Sequence, residues 1–140
     1  MRNLETLTVG TELPGRDHRP ENVDLFLYNA VLWNAHRIHY DQAYATGVEG
    51  YPGLVVQGPL LGDWLTQVVM EWLGDDDVLV EFAYSNRQPA YLGETLRAGG
   101  RVSGVDRERS EVRLELEIRN ERGEVITPGS ALVRIGEARA

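Results

Sequence analysis

Residues 58–74 read G-P-L-L-G-D-W-L-T-Q-V-V-M-E-W-L-G, and this run decides the fold. Leu61, Trp64, Leu65, Val68, Val69 and Trp72 recur at i, i+3, i+4, i+7, i+8 and i+11, a continuous apolar stripe on a 3.6-residue period. Pro59 suits a first helical turn, where a missing N–H costs nothing, and Gly74 stands just past the last apolar position. Each tryptophan brings roughly 150–250 Å² of surface to bury. The spacing predicts a central core helix over about residues 59–73.

Beyond that helix the chain reads as strand. Val78, Val80, Phe82 and Tyr84 alternate with Leu79, Glu81, Ala83 and Ser85, which predicts a strand with those two faces. A second extended segment runs from Gly93 to Val105. The cleanest is Glu111–Arg119, where Val112, Leu114, Leu116 and Ile118 give a dry face and the charged residues between them a wet one. Asn120–Gly123 reads as a hairpin loop, and Val125, Ile126, Ala131, Val133 and Ile135 supply one or two closing strands. Before the helix, Leu4, Leu7, Val9 and Leu13 predict a first strand ending at the Pro14-Gly15 turn. Val23, Phe26, Leu27, Ala30 and Val31 then predict a helix from Pro20 with that stripe on the core, Glu21 and Asp24 at the positive end of its dipole. Asp41 is expected to cap a short turn that Gly47 closes. One strand, helices, then four or five antiparallel strands make an α+β class domain spanning residues 1–140, its sheet wrapped around the central helix.

Composition excludes several function classes. A formal charge of −8 argues against nucleic acid as a partner. No apolar run reaches the length of a membrane span, and the first residues lack a signal-peptide pattern, so a cytoplasmic protein with no membrane role is expected. The chain holds no cysteine, hence no thiol nucleophile, and its basic residues are all arginine, which rules out a lysine Schiff base.

Chemistry gathers in residues 34–60, N-A-H-R-I-H-Y-D-Q-A-Y-A-T-G-V-E-G-Y-P-G-L-V-V-Q-G-P-L. Two of the three histidines stand here beside Asn, Arg, Tyr and Asp, in a glycine-rich loop that ends where the core helix begins. His39 titrates near neutrality and suits proton transfer, although a histidine satisfied by backbone hydrogen bonds fits the residues as well. Gly58 offers an unpaired amide at the positive end of a helix, or simply a close helix–strand contact. His36 and His39 at i, i+3 would need Asp41 or Glu49 to complete a metal site, and no metal is expected.

N-A-H-R-I-H-Y-D followed by E-G-Y-P-G-L-V-V-Q-G-P-L resembles the MaoC-like hot-dog hydratase/dehydratase family, most of all the 3-hydroxyacyl-thioester dehydratase type 2 and mesaconyl- and itaconyl-CoA hydratase branch. The likeness extends more loosely to F-A-Y-S-N-R-Q-P-A-Y-L-G-E at residues 82–94. It implies a hot-dog fold, a dimer joined edge to edge, and reversible hydration and dehydration of 2-enoyl and 3-hydroxyacyl thioesters. His39 matches the histidine of the family's D-x-N-P-x-H pattern, while Asn34 stands where the aspartate would be and, unable to accept a proton, would hold a water or hydroxyl. Gly58 matches the glycine of H-G-x-L, whose amide binds the thioester carbonyl; Gln57 replaces the histidine, and Pro59 leaves Gly58 and Leu60 as amide donors. Arg37 and Arg87 are the cations expected to meet CoA phosphates or a substrate carboxylate. The resemblance implies an acyl-CoA or other pantetheine-linked substrate, no cofactor, and either a homodimer or a heterodimer with a second hot-dog subunit. It also admits a non-catalytic half of such a heterodimer, or a secondary-metabolite dehydratase or cyclase on the same fold.

Overall fold

The computed structural model describes residues 4–136. Its centre is helix α3, Gly58–Trp72, and all six stripe residues from Leu61 to Trp72 are buried as the spacing predicts. At roughly 1.5–3 kcal/mol for each large apolar side chain taken from water, that stripe dominates the core. Around it curls a five-stranded antiparallel sheet made of β1 (Arg16–His18), β2 (Val78–Tyr84), β3 (Leu96–Asp106), β4 (Glu111–Arg119) and β5 (Val125–Arg134), in the order β1-β3-β4-β5-β2. Helix α3 touches β2, β3, β4 and β5. Val112, Leu114, Leu116 and Ile118 of β4 are all buried, and Gly123, at φ 77°, closes the hairpin into β5.

Two glycines relieve close approaches, Gly129 between sheet and helix and Gly100 between neighbouring strands. One rung runs across the inner face as Gly100, Leu116, Gly129 and Tyr84. A Cβ on Gly129 would come within 3.1 Å of Leu65 Cδ1, and one on Gly100 within 2.5 Å of the Glu115 carbonyl oxygen. Leu116 thus has no side chain on either flank along this rung.

Three expectations are corrected. The first strand lies after the Pro14-Gly15 turn, not before it: residues 4–6 form a 3-10 turn and β1 is Arg16–His18. Residues 10–13 still run beside β3, through Gly10 N to Val102 O, Val102 N to Thr11 O and Leu13 N to Gly100 O, but as an irregular edge. In β2 the register shifts between Leu79 and Glu81, so Val80 is an extra residue. Leu79, not Val78 or Val80, then joins Phe82 against the core, because a bulge resets the two-residue period. Helix α1 (Asn22–Val31) is turned the other way: Leu25 and Asn29 are buried, while Phe26 and Leu27 are more than half exposed and Val31 is 83% exposed. Its first turn is nonetheless as expected, with the Glu21 amide donating to the Asp24 carboxylate at 2.8 Å. The reason for the rotation is polar and lies at the start of α3.

Candidate active site

Gln57 is the residue before α3 and is fully buried. Its amide nitrogen donates to Leu25 O and to Asn29 Oδ1, both at 2.7 Å. Asn29 in turn donates to the His36 carbonyl at 3.5 Å, and its own carbonyl accepts from the Asn34 amide at 2.9 Å. A buried polar side chain must be satisfied, and this pair turns the Asn29 side of α1 inward at the expense of the apolar stripe. Gln57, which replaces the histidine beside the candidate substrate-binding Gly58, commits its nitrogen to α1, and its buried Oε1 has no hydrogen-bond partner among the described residues. Replacing Gln57 by leucine strands the Leu25 carbonyl and the Asn29 carboxamide, so about 2–3 kcal/mol of stability is lost. Thermal melting followed by circular dichroism should show a midpoint several degrees lower.

The loop after α1 carries the histidine. Trp33 takes φ 54°, the left-handed region that most residues avoid, and reverses the chain. Asn34 Oδ1 then accepts from the His36 amide at 3.0 Å, which leaves the Asn34 carboxamide nitrogen without a partner among the described residues. Residues Arg37–His39 form a 3-10 turn and deliver the His39 ring inward, 7% exposed, edge-on to the His36 ring at 5.7 Å between centroids. His39 Nδ1 lies 2.7 Å from the Val55 carbonyl, and the Val55 amide donates to the Ile38 carbonyl. A carbonyl only accepts, so Nδ1 carries the proton and Nε2 is the basic nitrogen. Burial pushes the His39 pKa below its ordinary 6.5; the bond to Val55 works against that and the charge of His36 works with it.

Val55 is three residues before Gly58, so His39 is tied within about 10 Å of chain to the start of α3. There the Gly58 and Leu60 amides have no hydrogen-bond partner among the described residues, and Pro59 has no N–H to offer. Hydrogen bonds thus join Asn34 and Gln57 through Asn29, while His39 is bonded to Val55, three residues before Gly58 in the chain. Asn34 lines a hollow of about 350 Å³ with Phe26, Asn29, Ala30, Trp33 and Tyr40, so part of the misread α1 stripe forms its wall. Leu60 lines a different hollow, of about 550 Å³, where His18 stacks on Trp64 at 4.2 Å.

The two arginines stand apart from this group. Arg37 is held by Asp41 at 2.7 Å and lies over the Tyr44 ring at 4.3 Å. Asp41 also accepts from the Tyr44 amide and caps Gln42–Gly47 (α2), as expected, so it is committed as a structural anchor. Arg87 is exposed and donates to Ser85 Oγ at 3.0 Å. Asn29 was missed by the sequence reading because it sits among the apolar residues of a helix; only its spacing of four from Leu25 marks it.

Comparisons with known proteins bear on family and fold. The family model for hydroxyacyl-thioester dehydratase type 2 matches residues 10–92. The mesaconyl-C(4)-CoA hydratase of Chloroflexus aurantiacus is 36% identical over 112 residues, which are 80% of this chain and 36% of that protein. The mitochondrial hydroxyacyl-thioester dehydratase type 2 of Schizosaccharomyces pombe is 50% identical over 42 residues, 30% of this chain and 14% of that one. The chain thus spans about a third or less of the length of these curated relatives. Among solved structures, the (R)-hydratase from A. caviae involved in PHA biosynthesis superposes with a TM-score of 0.84 at 20% identity, covering 94% of this chain and 98% of that one. A MaoC-like dehydratase gives 0.86 at 24% identity, covering 95% and 42%. These likenesses show the hot-dog fold, and with the family match they settle the kinship: the chain belongs to the hydroxyacyl-thioester dehydratase type 2 family.

Proposed function

We propose that this hot-dog unit is an acyl-thioester hydro-lyase, interconverting 2-enoyl and 3-hydroxyacyl thioesters, with CoA as the carrier. The observation that carries the reading is the buried His39 ring, oriented by its Nδ1–H bond to the Val55 carbonyl, its pKa lowered by burial, and tied to the segment that presents the unpaired Gly58 amide. The thioester oxygen accepts from Gly58 N–H, with Leu60 N–H beside it, where the helix dipole favours the negative charge that develops. In dehydration, His39 Nε2 removes the C2 proton and the electron pair moves towards the thioester oxygen. Collapse of that enolate expels the C3 hydroxyl, which takes the proton back from Nε2 and leaves as water. Hydration is the same path reversed, with the Asn34 carboxamide nitrogen holding the water. Arg87, which has no carboxylate partner among the described residues, serves the substrate entrance, and Arg37 its rim.

The active assembly is a dimer, with a second copy or with a different hot-dog subunit. Two features favour it: the edge strand β2 leaves Val78 and Val80 exposed, and the α1 stripe is uncovered up to Trp33, which is 92% exposed. The curated relatives are also several times as long as the region matched. If this chain is one half of a heterodimer, activity appears only with the other half.

The test is turnover of crotonyl-, mesaconyl- and itaconyl-CoA, followed by loss of enoyl absorbance, with the protein's size measured in the same buffer. Activity in the dimeric fraction is expected; a dimer inert towards all three refutes the hydro-lyase reading for the homodimer, and restored activity with a second hot-dog subunit selects the heterodimer. The pH profile adds a sharper check. Catalysis needs neutral His39, so kcat/KM should fall on the acid side with an inflection below 6.5, and His36→Gln should move that inflection upward by removing a like charge. Stability follows the same sign: the unfolded chain holds the extra proton between the two pKa values, so the His39 contribution is complete above 6.5 and declines as pH falls through the folded value.

A further inference from the structure

We propose that Asn86 is a second hydrogen-bond donor to the acyl carbonyl, working beside the Gly58 amide; this rests on the thioester reading above. Asn86 follows β2, and its backbone is pinned on both sides, by Ser85 N to Pro128 O at 3.0 Å and Arg87 N to Ile126 O at 2.9 Å. Thr127, buried between those two acceptors in the chain, donates its hydroxyl to Asn86 Oδ1 at 3.2 Å. With its oxygen held there, the carboxamide turns its nitrogen the other way. That nitrogen lies against the start of α3: a Cβ built on Gly58 would come 2.4 Å from Asn86 Nδ2. Nδ2 has no hydrogen-bond partner among the described residues.

A Cβ lies within about 2.5 Å of its own amide nitrogen, so Asn86 Nδ2 and Gly58 N are within about 5 Å of each other. One oxygen therefore has room to accept from both at about 2.9 Å. The same contact gives a reason for glycine at position 58: any side chain there would push the carboxamide away. Asn86 sits on the segment after the sheet strand and Gly58 at the helix, so together they reach the oxygen from two sides. A donor pair of this kind stabilises the enolate more than either amide alone.

The experiment compares wild type with Asn86→Ala and the isosteric Asn86→Asp, using kcat/KM on the CoA thioester the wild type turns over. Infrared difference spectra of a bound thioester labelled at its carbonyl carbon provide a second readout. Losing one donor should cost about 10–30-fold for alanine, more for aspartate, which turns a negative oxygen towards the carbonyl, and should shift the carbonyl stretch to higher frequency. Thr127→Val, which releases the carboxamide and leaves both donors in the chain, should give a smaller loss in the same direction. Alanine within twofold of wild type, aspartate equal to asparagine, or an unmoved carbonyl stretch overturns the role of Asn86. Because these outcomes require an active wild type, they are separate from failure of the hydro-lyase reading, in which wild type itself is inert.

Discussion

Replacing His39 by alanine lowers turnover by about 10²–10⁴-fold, the range that positioned acid–base catalysis contributes. Two substitutions separate chemistry from folding. Alanine removes both the basic Nε2 and the Nδ1–H that satisfies the buried Val55 carbonyl. Asparagine places a side-chain N–H near the Nδ1 position, so it keeps a donor for that carbonyl while removing the base. Both variants should lose activity to the same extent on any thioester the wild type hydrates, and alanine should lose about 1 kcal/mol more stability. The measurement is enoyl absorbance at saturating substrate, paired with thermal melts. A folded asparagine variant within threefold of wild type would remove His39 from the mechanism, and with it the proposed activity.

The second large effect is on stability. Gly100→Val puts a branched side chain where even a Cβ would meet the Glu115 carbonyl oxygen at 2.5 Å and Leu116 Cδ2 at 2.8 Å. The first of these is backbone, so the strand pair itself must move. Overpacking of this kind costs about 3 kcal/mol, equivalent to roughly 6–12 °C in melting temperature for a domain of this size. Gly99→Val is the control, since a Cβ there meets only the Gly15 Cα at an ordinary 3.8 Å. Denaturant unfolding of the two variants should give clearly separated midpoints; equal midpoints would mean the close approach of β4 does not restrict position 100.

Much of the fold was legible because two signals were strong and local. The α3 stripe and the β4 alternation each describe one element with one buried face, and the structure buries both as read. Elements whose geometry depends on a neighbour were not legible. The β2 bulge is fixed by pairing with β5, and nothing in V-L-V-E-F-A-Y marks Val80 as the extra residue. In α1 two helical spacings compete. Hydrophobicity favours the Phe26–Ala30 side, yet hydrogen bonding from Gln57 turns Leu25 and Asn29 inward. The motif points to His39 and Gly58 as candidates, whereas the nearness of Asn86 to Gly58 depends on the Thr127 and Ile126 contacts of β5, some 40 residues further along the chain, which no local pattern marks.

The Val55 bond to His39 has a mechanical meaning. In the proposed reaction the base hangs from the same short stretch that opens α3, so base and carbonyl-binding amide would move together. Flexing of the sheet against its helix would then change the room around the proposed acyl tail and leave the reach from nitrogen to substrate oxygen constant. On the proposed mechanism, substitutions in the walls of the hollow would retune tail preference without detuning proton transfer.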